Sequence, residues 1–239
     1  MQSLGAVDGP GLRYVVFMQG CPFRCVYCHN PDTWNFQEGE ETTPEELARK
    51  AERMKPYFGA DGGVTVTGGE PLAQSAFVAA FFKELHARGV HTALDTSGAW
   101  PVAEAAGVLE HTDLVLVDFK FLTAEEYRTC CGADFELIET FLRETEKRGI
   151  PLWVRHVVTP GITAKEEYIR ALTEKAARCS NLEKIELLPF RKLCLEKYRA
   201  LGRAFPLADT PEMDPEQCEA LQRTADSLLK CLKLNAKKE

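Results

Sequence analysis

The amino-acid sequence predicts an α/β fold, a single domain built as a partial, TIM-like (β/α)6 barrel. Three observations carry this expectation. Six short apolar runs alternate with segments of helical period. Several of those helical segments open on a marked cap. The unusual polar motifs all fall where an apolar run ends, which is where the loops of a barrel-like α/β fold form one rim.

The first run, Arg13–Met18, is β-branched and aromatic, and a loop with three cysteines follows it. "TPEE" then places Thr43 at an N-cap with Pro44 next and Glu46 closing a capping box. The second run, residues 63–67, ends in "TGGEP", and the third, residues 91–95, ends in "DTSG". The fourth, residues 113–118, reads "DLVLVD", the continuous apolar pattern of a buried parallel strand, and ends in "DFK". A second capping box, Thr123 to Glu126, starts the next helix. The fifth run, Leu152–Val158, carries Arg155 and His156, and "TAKE" after it predicts a third box from Thr163 to Glu166. The sixth, residues 184–188, leads into "LPFR", and a final helical segment spans residues 214–233. Right-handed crossovers would wind six such units into one sheet.

At 239 residues with 45% hydrophobic content, the chain is long enough for one large core, and residues 1–239 are expected to form one domain. The formal net charge of -7 argues against nucleic acid or a membrane surface as partner. No apolar run is long enough for a membrane span, and no basic stretch followed by an apolar one opens the chain, so a cytoplasmic protein, and a monomer, is expected. Nine cysteines are poorly explained by disulfides in that compartment; clustered ones read as metal ligands or catalytic groups.

Cys21, Cys25 and Cys28 stand at CxxxCxxC spacing in "CPFRCVYCHN". Structural zinc and ordinary cubane clusters want four protein ligands, which leaves a fourth position to explain. Zinc completed by His29 is the rival reading, but adjacent Cys28 and His29 do not easily bind one tetrahedral ion, and no second cysteine pair follows at the usual distance. The other six, Cys130, Cys131, Cys179, Cys194, Cys218 and Cys231, lack ligand spacing and read as packing residues or incidental thiols. Gly68 and Gly69 allow close backbone approach to a ligand, with Glu70 offering negative charge to an amine. Asp95 and Asp118 at strand ends suit a cation, and Lys120 and Arg155 suit a carboxylate. His156 alternates to the other face from Arg155 and reads as structural. The pattern fits a small zwitterion.

"AVDGPGLRYVVFMQGCPFRCVYCHNPDTW", "GGVTVTGGEPL", "LDTSG", "LVLVDFK", "WVRHVVTPG" and "KIELLPF" together resemble the radical S-adenosylmethionine superfamily, and within it the glycyl-radical-enzyme activases of the pyruvate formate-lyase type. The resemblance implies a [4Fe-4S] cluster on Cys21, Cys25 and Cys28 with one open iron, occupied by the amino and carboxylate groups of S-adenosylmethionine. It implies that Tyr27, Gly68, Gly69, Glu70, Asp95, Lys120, Arg155 and Arg191 line the cofactor site. Asp95, Thr96 and Asp118, with the Leu116 backbone, match a monovalent-cation site, and Asp8 matches a residue that meets the partner's glycine loop. The implied partners are a glycyl-radical enzyme, pyruvate formate-lyase, and an electron donor of flavodoxin or ferredoxin type.

Two departures stand out. "LPFR" replaces the family's usual "LPYH", putting Arg191 where a histidine is common, and "KLCL" puts Cys194 where a glycine is usual. Residues 29–67 contain no cysteine, unlike activases that carry a ferredoxin-like insert there, which favours the pyruvate formate-lyase type over activases of other glycyl-radical enzymes or small-molecule enzymes of the superfamily. A passive iron-sulfur or zinc protein would have no use for six converging loops. The chain also enters only at the end of the family's usual leader strand, so an unpaired edge beside Arg13–Met18 is expected.

Overall fold

The computed structural model describes residues 2–5 and 7–236. Six strands run parallel and in chain order: β2 (Arg13–Met18), β3 (Gly63–Gly68), β4 (Thr92–Thr96), β5 (Leu114–Asp118), β6 (Leu152–Val158) and β7 (Leu182–Pro189). A short β1 (Gln2–Gly5) pairs antiparallel with β2. The sheet does not close, because β1 and β7 end it and do not pair. The helices are α1 (Pro44–Glu52), α2 (Lys55–Phe58), α3 (Ser75–Ala87), α4 (Val102–Leu109), α5 (Ala124–Cys131), α6 (Phe135–Lys147), α7 (Glu166–Ala176), α8 (Leu195–Ala200) and α9 (Pro215–Ala236). This is the expected partial (β/α)6 barrel with one antiparallel strand added.

Alternation along the strands separates two layers. Val16, Val64, Val66, Leu94, Val115, Val117 and Val154 face outward into the large apolar core under the helices. Each such side chain contributes roughly 1.5–3 kcal/mol by leaving water. The inner face keeps a small apolar cluster, Ala93, Leu114 and Leu116 with Trp153 against it, and Val15 buried on β2. Arg13, Thr65, Asp95 and Arg155 share that face, which a closed barrel packed with branched side chains would not tolerate. Arg13 is wholly buried there and donates to Thr65 Oγ1 (3.0 Å) and the Val64 carbonyl (2.6 Å). Burial pulls its pKa down to about 10, against the pull of Asp113 and Asp8.

The capping boxes at Thr43 and Thr123 form as expected, each threonine accepting from the third helical N–H and each glutamate accepting in return. The third box does not form. α7 starts at Glu166 behind Lys165, and Thr163 Oγ1 instead accepts from Thr159 N (2.9 Å) and donates to the Val157 carbonyl (3.2 Å). Its hydroxyl closes the turn after β6 before a helix can use it.

The edge of β2 expected to be open is covered by Gln2–Gly5. The other edge is covered by α9: Gln222 accepts from Leu187 N (2.8 Å) and donates to the Ile185 carbonyl (2.9 Å), and Lys233 Nζ donates to the Leu182 carbonyl (2.6 Å). No described helix is long and apolar enough to cross a membrane.

Candidate active site at the strand ends

The cysteine loop leaves β2 and is tied down on two sides. Arg24 N and Val26 N donate to the carbonyls of Cys131 and Cys130 at the end of α5 (both 2.9 Å). Glu70 N donates to the Gly20 carbonyl (2.9 Å) and Gly69 N to that of Met18 (2.8 Å), so the GGE turn after β3 lies directly against the loop. Only glycine fits this approach: a Cβ on Gly69 would stand 2.2 Å from the Gly20 carbonyl oxygen, and Gly68 holds φ at +104°.

Cys21, Cys25 and Cys28 are free and half-buried, with Cys28 N bonded to the Cys25 carbonyl (3.0 Å). Burial pushes the Cys21 thiol up to about 12, partly offset by the Phe23 N–H, and pushes Cys28 to about 11, partly offset by the N–H of Asn30 and the indole of Trp34. Cys25 is lowered to about 7, first by the thiol of Cys131 and then, against burial, by the charge of Lys120. Cys131 is buried in the core as a packing residue, with its thiol toward Cys25. Amide N–H groups aimed at sulfur in a half-dry setting, with the charge of Lys120 nearby, are what thiolates on an iron-sulfur cluster require, so the residues fit that group. Zinc with His29 finds little support, because Nε2 is taken by the Arg191 carbonyl (2.7 Å) and only Nδ1 is left for an ion. Nor does any set of three or more His, Cys, Asp or Glu among the described residues converge as one ion would need.

Glu70 is buried, and its carboxylate is fully used inside the fold in place of the free charge expected of it. Oε1 accepts from Leu72 N (3.0 Å) and Thr96 Oγ1 (2.6 Å), and Oε2 from Ser97 N (3.1 Å) and Ser97 Oγ (2.5 Å). The GGE turn is therefore locked to the DTSG turn, a role for Ser97 that only tertiary contact reveals.

On the inner face, Asp95 Oδ2 accepts from Thr67 Oγ1 (2.8 Å) and pairs with Arg155 (3.1 Å). Burial raises Asp95 to about 6, with Asp118 adding to the rise and Arg155 opposing it. Arg155 also faces Glu186 Oε2 at 3.7 Å, and Arg155 Nε and Glu186 Oε2 are both buried without a hydrogen bond. Lys120 Nζ pairs with Asp118 Oδ2 (2.8 Å) and sits 5.9 Å from the ring of Tyr27, which is buried against Phe121. The expected carboxylate clamp of Lys120 and Arg155 is thus already matched to Asp118 and Asp95, the acids expected to hold a cation. The Leu116 backbone lies in register between Asp95 of β4 and Trp153 of β6.

The VDGPG loop crosses this face from β3 to β6: Thr65 Oγ1 donates to the Asp8 carbonyl (2.6 Å) and Arg155 Nη2 to that of Val7 (3.5 Å). Burial raises the half-buried Asp8 carboxyl, opposed by Arg155 and Arg13. A cavity of about 560 Å³ opens beside it, lined by Gly9, Pro10, Trp153, Glu186 and Leu188 among others. The Arg191 guanidinium donates to the Met213 carbonyl (2.9 Å) and faces Glu212 (3.7 Å), while its own carbonyl meets His29 Nε2 (2.7 Å).

Residues 15–172 match the family model "Radical SAM superfamily". The chain is 43% identical over 230 residues, 96% of each chain, to the pyruvate formate-lyase-activating enzyme of Clostridium pasteurianum, and 41% identical to that of Staphylococcus aureus (strain USA300) over 93% of this chain and 92% of the relative. Among solved structures it is similar to the coproporphyrinogen III oxidase HemN of Escherichia coli, a radical SAM enzyme, with a TM-score of 0.57 at 15% identity over 94% of this chain and 53% of that one, a likeness of fold. The chain belongs to the radical SAM superfamily, in the family of pyruvate formate-lyase-activating enzymes.

Proposed function

We propose that this protein installs a glycyl radical on pyruvate formate-lyase. The observation that carries the reading is a loop of three free cysteines held against the GGE turn, in a chain 43% identical to an enzyme named for that activation. Cys21, Cys25 and Cys28 would hold a [4Fe-4S] cluster, leaving one iron open to the amino and carboxylate groups of S-adenosylmethionine. When bound, the pair supplies reductive cleavage of the sulfonium to a 5'-deoxyadenosyl radical, and the hydrogen it removes comes from a glycine of the partner.

The chain's own residues position and shield. The backbone of Gly68 and Gly69 meets the amine, with Glu70 holding that turn rigid from behind through Thr96 and Ser97. Lys120 and Arg155 orient the carboxylate side by exchanging part of their pairing with Asp118 and Asp95, and Tyr27 walls the site. Asp95, Thr96 and Asp118 with the Leu116 backbone would hold a monovalent cation, and Oδ2 of each aspartate is already engaged within the fold. Asp8 at the inner face would meet the partner's glycine loop. A flavodoxin or ferredoxin would deliver the electron, and the protein would act as a cytoplasmic monomer.

The test is anaerobic reconstitution with iron and sulfide, followed by S-adenosylmethionine, reductant and pyruvate formate-lyase. An oxygen-sensitive glycyl radical in the paramagnetic resonance spectrum is expected, absent with Cys25→Ser. A radical formed only on a different glycyl-radical enzyme would overturn the partner; an intact cluster in Cys25→Ser would overturn the ligand set.

A further inference from the structure

The cysteine loop has an outer face that the chemistry above does not use. Trp34, half-buried, lies beside Cys28, whose thiol its indole lowers against burial, and stands between two exposed arginines, with Arg24 Cζ 4.6 Å and Arg203 Cζ 5.6 Å from its ring. Its edge meets Tyr198 of α8 at 5.9 Å and 89°. The Tyr198 hydroxyl is buried without a hydrogen-bond partner. A packed aromatic pair thus connects solvent to a ligand candidate.

The surface around this pair is basic in an acidic protein. Residues 191–203 carry five cations and one carboxylate, Glu196, in a chain of net charge -7. Arg191 pairs with Glu212 and Lys197 with Asp32, whereas Arg24, Lys192, Arg199 and Arg203 have no ion pair among the described residues. Leu193, at 81% exposure, follows Lys192 in that segment. An exposed apolar residue in a segment of unpaired cations marks a binding surface for an anionic partner. The cavity beside the VDGPG loop is lined by different residues, so the surface does not duplicate that opening.

We propose that Trp34, framed by Arg24 and Arg203 and bordered by Lys192, Leu193 and Arg199, is the port at which an acidic one-electron carrier protein docks and delivers its electron to the cluster. The proposal rests on the cluster reading above and names the partner surface of that same site. The carrier is oxidised by one electron and the cluster reduced by one, with no bond made or broken and Trp34 unchanged. The indole supplies packed atoms between the carrier's cofactor and Cys28.

The test is rapid-mixing reduction of the reconstituted protein by reduced flavodoxin and, separately, reduced ferredoxin over a range of salt. Arg24→Glu/Arg203→Glu should slow carrier-driven reduction by about tenfold or more at low salt and remove its salt dependence. Photoreduction by a small deazaflavin, which needs no docking surface, should keep its rate, and radical yield per reduced cluster should be unchanged. If that variant fails to hold a cluster, Lys192→Glu/Arg199→Glu, on exposed or half-buried surface, carries the same expectation. Unchanged rate and salt dependence with both carriers overturns the port. A variant that instead loses affinity for the glycyl-radical enzyme overturns it too, in favour of a surface for that partner. Because cluster reduction is read directly, failure of S-adenosylmethionine cleavage would sink the function while leaving the port measurable.

Discussion

His156 shows how one side chain in this fold trades solubility for placement. It is buried on the outward face of β6, bonded through Nδ1 to the Phe119 carbonyl (2.8 Å) and stacked on Tyr168, with Nε2 unpartnered. Burial lowers its pKa to about 4 from an ordinary value near 6.5. The folded state therefore holds it neutral, and stability it contributes above the unfolded pKa is lost as pH falls from about 6.5 toward 4. Metal-free protein should lose about 1 kcal/mol from this group between pH 7 and about 5.5. His156→Gln, which keeps a donor for Phe119 and does not titrate, should show that much less acid sensitivity in urea denaturation; parallel pH curves for the two proteins would refute the assignment. The sequence made His156 legible as structural because strand alternation alone puts it opposite Arg155. It could not reveal what Cys131, Trp34 or Ser97 do at the site, because only packing says which sulfur or carboxylate each faces.

At the scale of elements, the site is an assembly of turns that lock one another. The cysteine loop hangs on α5 by two backbone bonds and on the GGE turn by one, a second ties that turn to the end of β2, and Glu70 fastens it to the turn after β4. The weakest tolerance is at Gly69, where a Cβ would meet backbone, which cannot rotate away. Gly69→Ala should force the GGE and cysteine loops apart, costing roughly 1–3 kcal/mol as overpacking does. Cluster content should fall more than global stability, because the loop moves before the core does. Iron per chain after reconstitution, compared with the denaturation midpoint, measures the two separately; full cluster content in Gly69→Ala would show that the turn yields without disturbing the loop. Capping was readable where a threonine preceded a helix with nothing else to bond, at Thr43 and Thr123. It misled at Thr163, whose hydroxyl had nearer backbone partners in the turn after β6.

For the whole molecule, leaving the barrel open gives a partner access to the inner face but creates two strand edges, each a template for unwanted pairing. One is sealed by a strand, β1, and the other by a helix, which has no spare backbone donors or acceptors to offer. α9 solves this with a side chain: the amide of Gln222 accepts from Leu187 N and donates to the Ile185 carbonyl, as the peptide group of a neighbouring strand would. The period-2 and 3.6 patterns made both strand and helix readable, yet a glutamine on a polar helix face looks the same whether it meets water or a strand. Gln222→Leu should leave the two backbone groups without protein partners and cost about 1–3 kcal/mol. Gln222→Glu keeps an acceptor for Leu187 N but loses the donor to Ile185, so it should fall between. Hydrogen exchange at Leu187 should quicken in the leucine variant and stay slow in the glutamate one. The leucine variant should also associate through the exposed edge, read as mass growing with concentration by light scattering. If both variants matched the parent in stability, exchange and mass, water would be serving that edge as well as the glutamine does, and α9 would be holding β7 by apolar packing alone.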